Sequence, residues 1–412
     1  MITEIKSLDI GTMYLVGASR FDKDKICFKK LRHAFLKIKT EPSMYSFLKE
    51  EDLQYTEIND DIYVLSDSAF KMAYTMGKNI SRPMQDGILN PEENKSELIL
   101  KILVNALIGK ADNKKSICYY SIPAEPFEDE YRVVYHSGII QEILESLGYQ
   151  AQEVNEGLAV VYSSLSNNDF TGIGISCGCG LLNVCLSFMG KPIESFSIDR
   201  AGDWIDTNVA KVLGEQASKI TKVKEKGIDL LAPQDRIERA ISIYYKELIR
   251  YAVDCIKTRL KNCGSLFVFD KPIDIVCGGG TSLPEGFISI FNDEISETKL
   301  PLDIKNVHLA EDPLYAVARG CFINAIADEN HNEAVSKRKI FRNKAEDKEE
   351  TESDNIDMTE TPIDDEQVDA EIKKLDEKFS KNEDLVDESN DEESANVELA
   401  NKDKTTDASL EN

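Results

Sequence analysis

Asp9-Ile10-Gly11-Thr12 is the first place in this chain where residue types and spacing suggest chemistry. It offers a carboxylate at the end of an apolar run, a glycine that allows close approach, and a hydroxyl beside turn amides. That set suits a phosphate group, although a plain hairpin turn explains the same four residues about as often. Two further glycine turns follow, Ser176-Cys177-Gly178-Cys179-Gly180 and Cys277-Gly278-Gly279-Gly280-Thr281-Ser282. The last sits between an apolar run at 273–276 and a helical pattern at 283–291, and strand, glycine turn and helix in that order direct backbone N–H groups toward an anion. Cys177-x-Cys179 lacks the spacing of a zinc site, and cysteine is also a small hydrophobe suited to buried strands. His33, His136, His308 and His331 are scattered and suggest no catalytic triad.

These turns need elements to hold them. Apolar runs at 5–10 and 13–18 flank Gly11-Thr12 and predict a hairpin. Leu98, Ile99, Ile102, Leu103, Ala106 and Leu107 recur at helical spacing over 96–108, a strand reads from 116 to 122, and a helix spans 138–147 before Gly148. Strands at 171–175, 181–188 and 193–198, turning at Met189-Gly190-Lys191-Pro192, form a meander like the opening hairpin and suggest duplicated halves. Helices are expected at 204–213, 235–260 and 314–326.

Composition narrows the class. At 412 residues, 42% hydrophobic and 30% charged, the chain has material for one or two full cores. From Ala345 onward 26 acidic residues face 7 basic ones, which is −19 of the net −26. The remaining body is mildly acidic with no long basic stripe, so nucleic acid is not expected as a partner. Lys337, Arg338, Lys339, Arg342 and Lys344 read as a solvated junction; the alternative is a peripheral membrane contact through anionic lipid. Nine scattered cysteines imply a reducing, cytoplasmic setting, and neither a signal segment nor a membrane span is read. Beyond residue 336 apolar residues are too sparse to offset chain entropy, so disorder is expected. Within that tail Val368, Ile372, Leu375 and Phe379 share a helical stripe suited to a partner protein, or to a transient helix without one.

The order of the turns resembles the actin, hexokinase and heat-shock-chaperone ATPase superfamily over about residues 5–330. Asp9 to Thr12 resembles its first phosphate loop, Ser176 to Gly180 the second, and Ile275 to Pro284 its adenosine loop. Glu153 to Tyr162 resembles the first connecting helix, and Pro313 to Gly320 the second. Arg82-Pro83-Met84-Gln85-Asp86-Gly87-Ile88 and Ala201-Gly202-Asp203-Trp204-Ile205-Asp206 are similar to segments of the MreB and MamK group of bacterial actins.

The resemblance implies a two-lobed α/β fold around a nucleotide cleft: lobe I over 1–150, completed by 308–335, lobe II over 151–307, and an acidic tail over 336–412. It implies ATP with Mg²⁺, held by Gly11, Thr12, Gly178, Cys179 and Gly180 at the β- and γ-phosphates. Gly278, Gly279, Gly280 and Thr281 would meet the α-phosphate and ribose, Gly202 would line the cleft, and Lys222 is a candidate for the adenine pocket. Asp9 would order the metal's waters. Glu156 aligns with a glutamate that polarises the attacking water, or is simply an acidic residue favoured at a helix start. Ser176 stands where the family carries Asp, Cys179 where it has the middle Gly, and Leu181-Leu182 where it has two Thr, so slow or impaired hydrolysis is expected. The implied function is a nucleotide-dependent filament built from copies of this chain. The alternative is a non-polymerising switch or scaffold that recruits partners through its tail.

Overall fold

The computed structural model describes residues 4–22, 25–90, 92–126, 132–263 and 269–330. The basic cluster from Lys337, the 336–412 tail and its Val368, Ile372, Leu375 and Phe379 stripe lie outside these residues.

Strands β1 (Ile5–Ile10), β2 (Tyr14–Asp22) and β3 (Lys25–Arg32) form an antiparallel meander. After a small unit, the chain returns through α3 (Ser96–Ile108), β9 (Ile117–Ile122), α4 (Arg132–Ser146) and β10 (Gln150–Asn155). Both β9 and β10 add in parallel, giving the order β10-β9-β1-β2-β3. The small unit is a three-stranded sheet of β4 (Phe35–Lys39), β6 (Asp61–Leu65) and β5 (Tyr55–Ile58), with α1 (Pro42–Glu50) and α2 (Ser66–Met76). Leu36, Ile38, Leu48, Ile62, Val64 and Met72 form its own core. A short ribbon of β7 (Met84–Gln85) and β8 (Ile88–Leu89) follows it.

The second half repeats the plan. α5 (Glu156–Ser164) leads into the meander β11 (Gly172–Cys177), β12 (Leu182–Phe188) and β13 (Lys191–Ile198). Helices α6 (Gly202–Leu213), α7 (Ala217–Glu225) and α8 (Arg236–Cys263) come next. Then β14 (Ile273–Gly278), α9 (Phe287–Thr298) and β15 (Ile304–Leu309) complete the sheet order β13-β12-β11-β14-β15. Read from the meander outward, the two orders match strand for strand. Every residue of β11 and β14 is buried because helices cover both faces.

The last helix, α10 (316–330), returns to the first sheet. Ser7 Oγ donates to the Ala318 carbonyl (2.7 Å), Tyr119 donates to Asp328 (2.7 Å), and Arg20 pairs with Glu329 (3.1 Å). α5 sits between α10 and the second sheet at glycine contacts. A Cβ on Gly320 would lie 1.8 Å from the Ala159 carbonyl oxygen, and one on Gly174 would lie 2.2 Å from that of Gly157. Helix α5, and with it Glu156, is thus fixed from both sides.

Three expectations need correction. Residues 150–155 are a strand of the first sheet, so that sheet runs past residue 150 and the connecting helix starts at Glu156, not Glu153. Parallel pairing with β9 makes a strand of this polar stretch. The helix expected at 283–291 starts at Phe287, because Pro284 and the left-handed Gly286 (φ 84°) hold 283–286 in a turn. The helix expected at 138–147 starts at Arg132 and carries Gly138 inside it.

Candidate functional site

Gly11 and Gly178 close the two meander turns in the same way. Gly11 N donates to the Tyr14 carbonyl and Gly178 N to the Leu181 carbonyl, each at 3.0 Å. A Cβ on either glycine would stand 2.8 Å from that same carbonyl oxygen. The superposable turns make Asp9 and Ser176 equivalent, each two residues before its glycine. The turns also meet each other: a Cβ on Gly180 would lie 2.4 Å from Thr12 Oγ1 and 2.3 Å from the Gly87 amide nitrogen.

The third glycine turn packs beneath the second. Thr281 Oγ1 donates to the Gly178 carbonyl (2.7 Å) and Gly279, left-handed at φ 87°, lies against the Cys177 backbone. Gly202 N donates to the same Gly178 carbonyl at 3.3 Å. Together these turns bound a cavity of about 900 Å³.

Asp9, Gly11, Thr12, Glu156, Gly178, Cys179, Gly180, Gly280 and Thr281 all line that cavity. Gly202, Gly278 and Gly279 stand behind the lining. Gly278 faces Ala316 and Val160, and Gly202 faces Thr281 and Cys179. Lys222 is corrected: it is exposed on α7 and outside the lining, where the lysines are Lys30, Lys224 and Lys226; of these Lys224 lies on the same helix, two residues and just over a half-turn away. Spacing alone could not choose between them, because the sequence does not show which face of α7 turns inward.

Of the carboxyls that line the cavity, Asp9 and Glu156 stand beside the two matched turns, one in each half. Asp9 accepts from Ser121 Oγ (3.0 Å), and burial pushes its carboxyl up to about 7 against that hydrogen bond. Glu156 Oε2 accepts from Ser176 Oγ and from Asn183 Nδ2, each at 2.9 Å. Burial, followed by the charge of Asp9, pushes Glu156 up to about 8. Ser176 therefore does something an aspartate could not do without adding a third carboxylate: it donates a hydrogen bond to Glu156.

These shifts set a pH dependence. Both carboxyls titrate higher in the folded chain than their ordinary values of 3.8 and 4.5, so the stability they contribute is present below about pH 4 and is lost as pH rises through 7 to 8. The nucleotide-free protein is expected to lose stability as pH rises across that window. Glu156→Gln should flatten the dependence of the melting temperature on pH; an unchanged slope would contradict the shift.

The rim is charged and paired. Lys224, with a side chain 11% exposed, lies 2.7 Å from Asp206 Oδ1, 3% exposed, and donates to the Gly202 carbonyl at 2.9 Å. Arg32 of the first half grips Glu225 of α7 through both nitrogens (2.7 and 3.2 Å). Arg82 pairs with Asp203 (2.8 Å) and Cys179 donates to the same carboxylate (3.0 Å). Arg82, Asp203 and Asp206 stood in segments singled out by resemblance, but their roles as cross-braces were not legible. Arg32, Glu225, Ser121 and Asn183 carried no sequence signal: each becomes notable through a partner between 59 and 193 positions away.

The residues present fit a phosphorylated ligand with a cation. Backbone turns that a Cβ would block surround the cavity, Lys224 reaches it, and a cation nearby would relieve the burial that raises Asp9 and Glu156. Among the described residues no group of three or more His, Cys, Asp or Glu forms a metal cage.

Paired five-stranded sheets with matched turns across one cavity define the actin-like class of fold. The structure is similar to a MamK double helical filament (TM-score 0.60, 17% identity, covering 79% of this chain and 99% of that one). It is also similar to MreB5 of Spiroplasma citri bound to AMPPNP (TM-score 0.58, 15% identity, 82% and 99% covered) and to ADP (0.56, 14%, 81% and 98%). The chain belongs to the volactin family, whose model matches residues 5–325. No curated protein sequence matches it.

Proposed function

We propose that this protein binds ATP with Mg²⁺ between its two matched glycine turns and assembles in that state into filaments of its own copies. The observation that carries the reading is the pair of turns at Gly11 and Gly178, facing each other across a cavity with Asp9 and Glu156 beside them. Gly11, Thr12, Gly178, Cys179 and Gly180 would offer backbone amides to the β- and γ-phosphates, with Gly280 and Thr281 at the α-phosphate and ribose. Lys224 adds positive charge at the rim. Glu156, held by Ser176 and Asn183, would orient and deprotonate the attacking water, and Asp9 would bind the metal's waters. Bound Mg²⁺ supplies charge neutralisation at the phosphates. The comparison with a MamK filament and with nucleotide-bound MreB5 supports the reading through the fold those proteins share with this chain.

The division into lobes, with a nucleotide closing them and stabilising longitudinal contacts, belongs to this proposal. So does a cytoplasmic setting, in keeping with the free thiols of the eight cysteines whose side chains are described. A second reading, a switch that binds ATP without polymerising, draws on the altered second turn with Ser176 and Cys179. Sedimentation with ATP, AMPPNP, ADP or no nucleotide, with phosphate release followed in parallel, separates them. Pelleting with triphosphate alone is expected; binding without pelleting across a range of salt would select the switch.

A further inference from the structure

Asn183, which holds Glu156 in the proposed function, also makes a second contact that the proposed function leaves unused. It is 1% exposed, on β12 directly opposite Ser176 of β11. Its Nδ2 donates to Glu156 Oε2 (2.9 Å), and its Oδ1 accepts from the Ala124 backbone N–H (2.8 Å). The second contact reaches out of its own half. Ala124 lies just beyond β9 of the first sheet, and the segment continues onto the second sheet, where Ser197 N donates to the Glu125 carbonyl (2.9 Å) and Pro126 bridges to Ser197. One backbone segment is therefore a strand of the first sheet at 117–122 and an attachment to the second at 124–126.

The amide has no alternative orientation. Flipping it would set Nδ2 against the Ala124 N–H and Oδ1 against the Glu156 carboxylate, donor facing donor and acceptor facing acceptor. Both ends of a buried side chain are thus used, one on the connection between halves and one on the carboxylate facing the cavity. Ser176 shares the carboxylate oxygen but lies wholly within the second half.

We infer that Asn183 is a positioning residue that ties the Glu156 carboxylate to the strand crossing between the halves, so that rotation of one half against the other sets where that carboxylate points. The inference rests on the reading of Glu156 as the group that acts on water. A displacement of about 1 Å at such a group is enough to change a rate by about 100-fold.

The test uses the full chain with Asn183→Ala, Asn183→Asp, Glu156→Gln and the Glu156→Gln/Asn183→Ala pair. Single-turnover phosphate release from ATP is expected to slow about 10- to 100-fold in Asn183→Ala, with nucleotide affinity within about threefold of wild type and no further loss in the Glu156→Gln background. Asn183→Asp keeps an acceptor for Ala124 but sets an oxygen against Glu156. It should retain amide protection at Ala124 and still lose rate, which a purely structural role would not produce. Wild-type release in Asn183→Ala, or an equal further loss on top of Glu156→Gln, would overturn the inference.

If Glu156→Gln releases phosphate like wild type, or wild type releases none, the reading of Glu156 fails and hydrogen exchange decides the tie alone. Nucleotide should slow exchange over 118–126 in wild type and not in Asn183→Ala. Equal slowing in both would refute the tie.

Discussion

Glu156→Gln is expected to slow phosphate release by about 100-fold or more while leaving nucleotide affinity close to wild type. The expectation follows from where the carboxylate stands. Burial and the charge of Asp9 lift it to about 8, so near neutral pH it binds a proton far more readily than an exposed glutamate. A base serves best when its pKa lies near the working pH. Glutamine keeps the shape, and its Oε1 can still accept from Ser176 and Asn183, which donate at 2.9 Å in the native site, but it cannot take a proton. Binding is expected to survive because the glycine turns are unaffected. Phosphate release read in single turnover, beside titration with a fluorescent nucleotide, checks both halves of the statement. Unchanged release would move the catalytic role away from α5.

The second large effect is expected at Lys224. Burial acts to neutralise its ammonium, but the neighbouring Tyr245 and Asp206 outweigh that and hold it protonated above its ordinary range. Lys224→Met would leave Asp206 buried beside an apolar chain, with only the hydroxyl of Thr221 donating to it (2.7 Å). Breaking one side of a buried pair costs about 3–5 kcal/mol. A fall of that size in unfolding free energy is expected in denaturant melts, together with weaker nucleotide binding from loss of the cation at the rim. Adding Asp206→Asn should recover most of the stability, since the amide needs no counter-charge, but none of the lost positive charge. Recovery of both would mean Lys224 serves only as the partner of Asp206.

Much of the frame was readable. The 96–108 helix was predicted with the bounds it has, because its apolar residues recur at 3.6-residue spacing and Gly109 ends it. The opening hairpin and the second meander were visible as apolar runs around glycine turns, and their likeness foretold the duplicated sheets; β3, which makes the first a meander too, was not read. The small unit at 35–76 was harder to read residue by residue, because its strands are only four or five residues long and its core closes only when α1 and α2 pack on it. Residues 153–155 were read as the start of the connecting helix, and the polar strand 150–155 was missed, because its strand character comes from pairing with β9 rather than from its own side chains.

The sequence by itself determined where the backbone could come close to something else: at Gly11, Gly178, Gly180 and Gly279 the absence of a side chain is local and needs no partner to be recognised. It also placed Ser176 two residues before its glycine, as Asp9 stands before Gly11, since that too is a matter of residue type. Only the tertiary structure decided what that serine does, by placing Ser176 and Asn183 on one oxygen of Glu156. It likewise chose Lys224 over Lys222 and joined Arg82 to Asp203 across 121 positions. Hydrogen bonds and ion pairs depend on distance and direction between groups remote in sequence, and those are fixed only when the two halves fold onto each other.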